Sequence, residues 1–264
     1  MTAKDFTDIA LRQSAIDSNC DVSDFTSGKN KTVISKADDR ARKYLKLPYI
    51  ADITTYGNGV VASVSPEFYD VTNEYINSYE PYHLFETPNL HAFSEKLRPL
   101  GADICFMAEY WLPKSEKMPE CPCEFELRML FPDDFGPLYL PQWSNALCSE
   151  RAHLDRIGVG AFDNGRLVAL AGASCDCEDM WQIGIDVLPE YRRRGIACAL
   201  TSRLAREIIL LGKVPFYCCA WSNVASARNA VKSGFVPSWV CMTAKRLDFI
   251  EEANRSMRRE VKKP

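Results

Sequence analysis

The stretch from Met180 to Trp221 constrains the fold more than any other part of the chain. A hydrophobic run over residues 180–188 ends at Pro189, and Gly195 marks a tight bend. Ile196, Leu200, Leu204 and Ile208 then recur at helical spacing up to a stop at Gly212, and a second apolar run occupies residues 214–221. Two strands joined by one such helix form a right-handed crossover, so they run parallel with their carboxyl ends pointing the same way. Ligands collect at that end. Upstream, runs at 157–162 and 166–174 flank Asp163-Asn164-Gly165, the chemistry of a tight hairpin turn, and residues 124–130 read as a further strand. Helical material is expected from Pro132 through about Arg156. Downstream, a helix over 223–233 stops at Gly234, and 235–245 reads as a closing strand.

The front half is patterned differently. Residues up to about 46 are polar, with one helix over 5–17 whose Ile9, Gln13 and Ile16 share a face. Two β-rich runs, 50–56 and 60–64, surround Gly57-Asn58-Gly59 and predict a hairpin. Ser65 and Pro66 open a helix carrying Phe68, Val71, Tyr75 and Ile76, a second helix over 90–100 stops at Gly101, and 103–112 is a strand candidate. Residues 113–122 hold three prolines and no apolar period, which marks a linker with its boundary near 120. The division expected is a helical appendage at 1–47, a small α/β domain at 48–119 and a larger domain at 120–264.

Charge and cysteine usage narrow the partners. Thirty-two Lys+Arg against 35 Asp+Glu leave a net charge of −3, too balanced for the basic footprint of nucleic-acid or anionic-membrane binding. No uncharged apolar run approaches the roughly 20 residues that span a bilayer. The start carries acid where a signal peptide carries base, so a cytoplasmic protein is expected, with neither nucleic acid nor membrane as partner. The 11 cysteines then read as reduced, mostly buried thiols, with no disulfides expected and Cys218-Cys219 as core filler. Cys121/Cys123 and Cys175/Cys177 are spaced more closely than ordinary zinc ligand pairs, and the strand order puts the two pairs at opposite sheet ends. No metal is expected.

The chemistry gathers at the bend. Arg192, Arg193, Arg194, Gly195, Ile196 and Ala197 lead from a strand end into a helix N-terminus, where unpaired amides and the helix dipole favour a pyrophosphate and the arginines pair with further oxygens. Three arginines alone read sooner as a solvated run capping a strand. Arg192-x-x-Gly195-x-Ala197, however, resembles the Arg/Gln-x-x-Gly-x-Gly/Ala signature of the GCN5-related N-acetyltransferase (GNAT) superfamily. Its context is similar too: the strand at 183–187, Pro189-Glu-Tyr, Asn223 and Ser226 after the next strand, and Gly234-Phe235.

The resemblance covers roughly residues 124–245; residues 1–113 are similar, less specifically, to the divergent front half of two-part members. It implies an α/β (α+β) fold with a mixed, mostly antiparallel sheet and a central splayed parallel pair, and acetyl-CoA as co-substrate. Ile185 and Val187 match the strand whose free backbone holds the pantetheine arm, one amide polarising the thioester. Arg192 to Ala197 match the pyrophosphate loop, and Asn223 and Ser226 the polar contacts from the other side, where Asn223 also serves as a helix cap. The implied reaction is direct attack by a primary amine on the thioester, the acceptor being a small molecule or a peptide and the protein a monomer or homodimer. Asp186 and Glu109 are candidate bases, although strand alternation can turn Asp186 away from the cleft and Glu109 can be plain surface charge. Where many members place a Tyr as acid for the leaving thiolate, this chain has Ala230, leaving Tyr217 or water. That departure keeps a second reading open, a non-catalytic acyl-CoA-binding sensor.

Overall fold

The computed structural model describes residues 1–260. In chain order the elements are α1 (Ala3–Ser18), α2 (Val22–Thr26), β1 (Lys31–Ile34), β2 (Ala51–Thr55), β3 (Val60–Val64), α3 (Tyr69–Ile76), α4 (Thr87–Leu97), β4 (Ala102–Pro113) and β5 (Glu126–Leu130). They continue with α5 (Pro132–Phe135), β6 (Asp155–Asp163), β7 (Arg166–Ser174), β8 (Met180–Val187), α6 (Ile196–Leu210), β9 (Val214–Ala220), α7 (Val224–Lys232), β10 (Phe235–Arg246) and α8 (Leu247–Glu260). The protein is a mixed α/β fold whose strands pair mostly antiparallel, with β1/β3 and β8/β9 parallel.

Two compact units divide the chain: Met1–Ala10 with Glu109–Ser238, and Leu11–Ala108 with the chain from Trp239 onward. They do not follow the linear division at 47 and 119, because β4 and β10 each contribute residues to both units. No cut at one point of the sequence separates them.

In the first unit the strand order is β9-β8-β7-β6-β5, with the end of β4 beside β9. The β6–β7 hairpin turns on Asn164 (φ 48°) and Gly165 (φ 85°), a pair of left-handed residues that matches the twist of the flanking strands. Ile196, Leu200, Leu204 and Ile208 of α6 are each at most 1% exposed and pack on Val159, Ala169, Ala171 and Ile183. Small residues along β7 let α6 approach closely, and burying each large side chain of the stripe contributes about 1.5–3 kcal/mol. Residues 132–154 are not one helical stretch: short α5 is followed by single 3-10 turns that wrap Trp143 and Leu147 onto Leu170.

The expected linker is no linker. Met118 is 7% exposed in the first unit's core, Lys114 N donates to Gly234 O at 2.9 Å, and Ser202 Oγ donates to Pro119 O. Its prolines remove donors from an irregular segment that packs along α6 rather than hanging free.

In the second unit β1-β3-β2-β10 is the strand order, and the turn at Pro66–Phe68 together with α3 and α4 buries Phe68, Tyr75, Ile76, Phe93 and Leu97 on one face of it. From residue 11 onward the expected appendage is part of this unit. β1 pairs with β3 from Lys31↔Val61 to Ile34↔Val64, and Leu11, Ala15 and Phe25 cluster with Val61. Helix α8 lies beyond the last element expected from the sequence.

Candidate active site

The parallel pair of the first unit is split. Its ladder runs Met180↔Val214, Trp181↔Pro215 and Gln182↔Phe216, and beyond it Ile183–Val187 and Tyr217–Ala220 share no ladder among the described residues. On its other side β8 stays paired with β7 through Ala169↔Val187. Every second backbone N–H and C=O of β8 therefore faces a gap rather than a strand. Ile183 is buried among the side chains around α6, and Ile185 and Val187 pack against that core, so these positions offer backbone to the gap. Gln182 Nε2 donates to Cys218 Sγ at 3.1 Å where the split begins.

Beyond the carboxyl end of β8 the chain makes a turn at Pro189–Tyr191 and reaches Arg193 (φ 65°) and Gly195 (φ 79°), the residue before α6. Gly195 supplies no capping side chain, so the first amides of the helix stay available. The space is open as well: among the described residues, chain neighbours aside, Pro122 O at 3.8 Å is what an added Cβ at Gly195 would meet within 4 Å. The turn fits a phosphate group, and the dipole of a 15-residue helix favours one.

The three arginines diverge. Arg192 Nε donates to Val187 O at 3.1 Å. Arg194 Nε donates to Glu124 Oε1 at 2.7 Å with its guanidinium 4.5 Å from the Phe125 ring centre, so this side chain is committed away from the turn and contributes backbone alone. Arg193 is exposed on the left-handed residue of the turn. Ile196 is core, and Ala197 is half-buried in the helix's first turn.

Past the carboxyl end of β9, Asn223 caps α7, its Oδ1 accepting from Ser226 N at 3.1 Å. Ser226 Oγ is 3.0 Å from the Tyr217 hydroxyl. That phenol is 3% exposed, and burial above all raises its pKa while Ser226 and Asn229 pull it down. Ala230 is fully buried one turn along α7 from Ser226.

The two candidate bases separate. Asp186 Oδ2 accepts from the Asn145 and Ala146 amides at 2.9 Å each, and Oδ1 accepts from Asn145 Nδ2 at 2.6 Å. Through these three hydrogen bonds its carboxylate anchors the loop at 145–146. Gly172 and Gly184, register partners in β7 and β8, make room: an added Cβ would run into the carbonyls of Ala146 and Asn145 respectively. This loop was missed by sequence reasoning, since two glycines become a signal only once strand register is known. Glu109, in contrast, lies near the carboxyl end of β9, where its charge reaches the Cys219 thiol. Desolvation holds its carboxyl above the ordinary value, the direction a general base needs.

One cysteine expectation is overturned. Cys121 and Cys198 form a disulfide, brought together because the 113–122 segment packs along α6. The start of β5 and the end of β7 meet opposite ends of β6, Glu126↔Phe162 and Asp155↔Ser174, which separates the 121/123 and 175/177 pairs. Among the described residues no group of three or more His, Cys, Asp or Glu is placed to hold a metal, and no helix is long and apolar enough to cross a membrane.

Comparison with known proteins adds the family. No curated protein matches the chain. Among solved structures it is similar to a GCN5-related N-acetyltransferase from Sphaerobacter thermophilus (14% identity, 71% of this chain and 72% of that one, TM-score 0.46). It is also similar to a GNAT-family acetyltransferase from Colwellia psychrerythraea (13%, 70% and 76%, 0.45). A third is a GCN5-related N-acetyltransferase-like protein from Streptococcus suis (17%, 58% and 68%, 0.44). The family model described as GNAT acetyltransferase matches residues 70–243, so the likeness reaches forward into α3, α4 and β4 and does not start near 124. Because that match takes in well over half of the chain, the protein belongs to the GNAT acetyltransferase family.

Proposed function

We propose that the protein transfers the acetyl group of acetyl-CoA to a primary amine by direct attack on the thioester. The observation that carries this reading is the split of β8 from β9 leading straight into the open Gly195 turn: one backbone edge for an extended arm, one cradle for a pyrophosphate. An arm laid along β8 would accept and donate backbone hydrogen bonds as an added strand, and an amide of that strand would polarise the thioester carbonyl. Ile185 and Val187 supply that edge, residues 193–197 the cradle, and Asn223 and Ser226 the polar rim.

Glu109 takes the proton from the incoming ammonium, directly or through water. With Ala230 in place of a phenol and Tyr217 buried against Ser226, water protonates the departing thiolate. Release of CoA from acetyl-CoA over a panel of small amines and peptide N-termini tests the reading. Amine-dependent release supports it. Tight acetyl-CoA binding with no release over the whole panel would favour the sensor, the reading that Ala230 supports, and absence of binding would sink both.

A further inference from the structure

Cys121 and Cys123, singled out in the sequence, have no part in the transfer chemistry. Cys121 is bonded to Cys198 across a sequence separation of 77, with the Cα atoms 6.0 Å apart. Cys198 is the third residue of α6, so the bond sits on the helix turn that supplies the cradle amides. The strap carrying Cys121 is fastened on both sides of it. Met118 is buried in the core, Arg206 Nη1 donates to Glu120 Oε1 at 3.2 Å, Pro122 O lies beside Gly195, and Glu124 holds Arg194. Cys121 and Cys198 are both half-buried, within reach of a small reagent.

We infer that Cys121–Cys198 is a thiol-exchange site, at which a small thiol of the glutathione class weakens acetyl-CoA binding. The affinity half of this inference rests on the coenzyme reading above; the exchange itself does not. The incoming thiol loses its proton to solvent and its sulfur attacks Cys121 Sγ. A new S–S bond joins the small thiol to Cys121, the Cys121–Cys198 bond breaks, and the electron pair leaves on Cys198 as thiolate. A second small thiol then attacks the mixed disulfide, releasing the small molecule's own disulfide and leaving Cys121 reduced. Attack falls on Cys121 because the better leaving group is the sulfur at a helix N-terminus, where amides and dipole stabilise a thiolate. In the bonded state the Cys198 sulfur is uncharged. Once released, it places negative charge in the turn that would receive the pyrophosphate, and the two anions oppose one another.

The test uses the full chain with glutathione as the thiol, removed before binding is measured, and acetyl-CoA, which has no free thiol to attack the disulfide, as the ligand. Alkylation after unfolding without reductant should label the nine free cysteines, and all 11 after phosphine reduction. Peptide mass analysis after brief glutathione treatment should find the adduct on Cys121. Reduction should raise the acetyl-CoA Kd about two- to fivefold, the range expected for one charge at a helix terminus. Cys198→Asp, an acid that a helix's first turn accommodates well, should reproduce the weak binding of the reduced protein. Cys198→Ser should bind independently of reductant. Eleven labelled thiols without reductant, an adduct confined to other cysteines, or one Kd in both redox states would overturn the inference. Absence of acetyl-CoA binding in both states would instead overturn the coenzyme reading, with the adduct on Cys121 still reporting the exchange.

Discussion

The interiors of the two units are built on opposite terms. Around α6 the first unit is mostly apolar and, among the described residues, carries no buried charge: Leu200, Leu204, Ala205 and Ile208 are fully buried, the buried hydroxyls of Thr201 and Ser202 are held by Asn229 and Pro119, and the buried carboxylates Asp155 and Asp176 lie at the far end of β6 and β7. The second unit buries a polar network on the face of β2 opposite α3. Arg42 Nε donates to Asp17 Oδ2 at 2.5 Å with both side chains nearly inaccessible, and Thr54 and Thr243 both donate to the Asp52 carboxylate. Ser14 meets the Tyr56 hydroxyl at 2.8 Å, and the Tyr56 ring stacks on Trp239. An interior that grips its ligand with backbone needs only apolar side chains behind the strand. One that fixes its own irregular segments with charge must satisfy every polar group, and its stability then hangs on single partners.

The largest expected effect tests that dependence. Asp17→Ala strands the buried Arg42 guanidinium and should cost the second unit about 3–5 kcal/mol, read by urea unfolding. Replacing both partners with apolar residues of similar volume should recover most of the loss. Leu204→Ala in the first unit should cost about 2–5 kcal/mol, but with no salt or pH dependence. Recovery that fails in the double variant would erase the distinction between the two interiors.

Catalysis gives the next effect. Glu109→Gln should lower kcat roughly 10²- to 10⁴-fold. Because desolvation raises the Glu109 carboxyl, the wild-type rate should fall on acidification through a limb above the ordinary carboxylate range, and the Gln variant should lack that limb. A retained limb would move the base elsewhere.

Gly195→Glu follows, since φ +79° strains a side chain by about 1–2 kcal/mol and the carboxylate opposes a phosphate on the same turn. The variant should fold, there being open space around the position, with the strain of about 1–2 kcal/mol falling on stability, and bind acetyl-CoA about two- to fivefold more weakly, the loss expected for one opposing charge at a helix terminus. Unchanged affinity in calorimetry would put the phosphate site elsewhere.

Legibility in the sequence divides along the same line. The β6–β7 hairpin, α6, the parallel β8 and β9 and the Gly195 turn were readable because an apolar interior leaves a period and tight turns leave glycine. Asp17 and Arg42 were not, since a buried charge pair looks like solvated surface in one dimension, and so the polar stretch before residue 47 was read as an appendage. The role of Asp186 was hidden for a related reason: its partners, at 145–146, lie far away in sequence, and only register shows that Gly172 and Gly184 clear their path.

A smaller effect separates the units by pH. Burial raises Asp52 above the ordinary carboxylate value, against the pull of Thr243 and Thr54. A raised native pKa means that the folded protein binds this proton more tightly than the unfolded chain. The contribution is therefore full below the unfolded pKa and lost as pH rises through the folded one. Asp52→Asn should flatten that part of the second unit's pH–stability curve while changing neutral stability by about 1 kcal/mol or less. A curve unchanged by the substitution would assign the pH dependence to another group.

The smallest effect concerns Tyr217, where the apolar and polar styles of interior meet. Its ring belongs to the core around α6, 6.2 Å from the Phe235 ring, while its hydroxyl reaches Ser226 at the head of α7. If that hydroxyl protonated the departing thiolate, Tyr217→Phe would lower kcat by roughly 10²-fold or more with little change in acetyl-CoA affinity. Burial at 3% exposure and a partner already in place argue for packing instead, and the phenol's raised pKa follows from that same burial. The Phe variant keeps the ring and loses one hydrogen bond, so it should lose about 1 kcal/mol of stability and keep kcat within a few-fold of wild type. Ser226→Ala removes the Ser226 contact and leaves Asn229 beside the phenol, so it should cost no more than Tyr217→Phe, and the double variant should cost little more than Tyr217→Phe alone. A large kcat loss confined to Tyr217→Phe, with Ser226→Ala near normal, would instead make the phenol the proton donor.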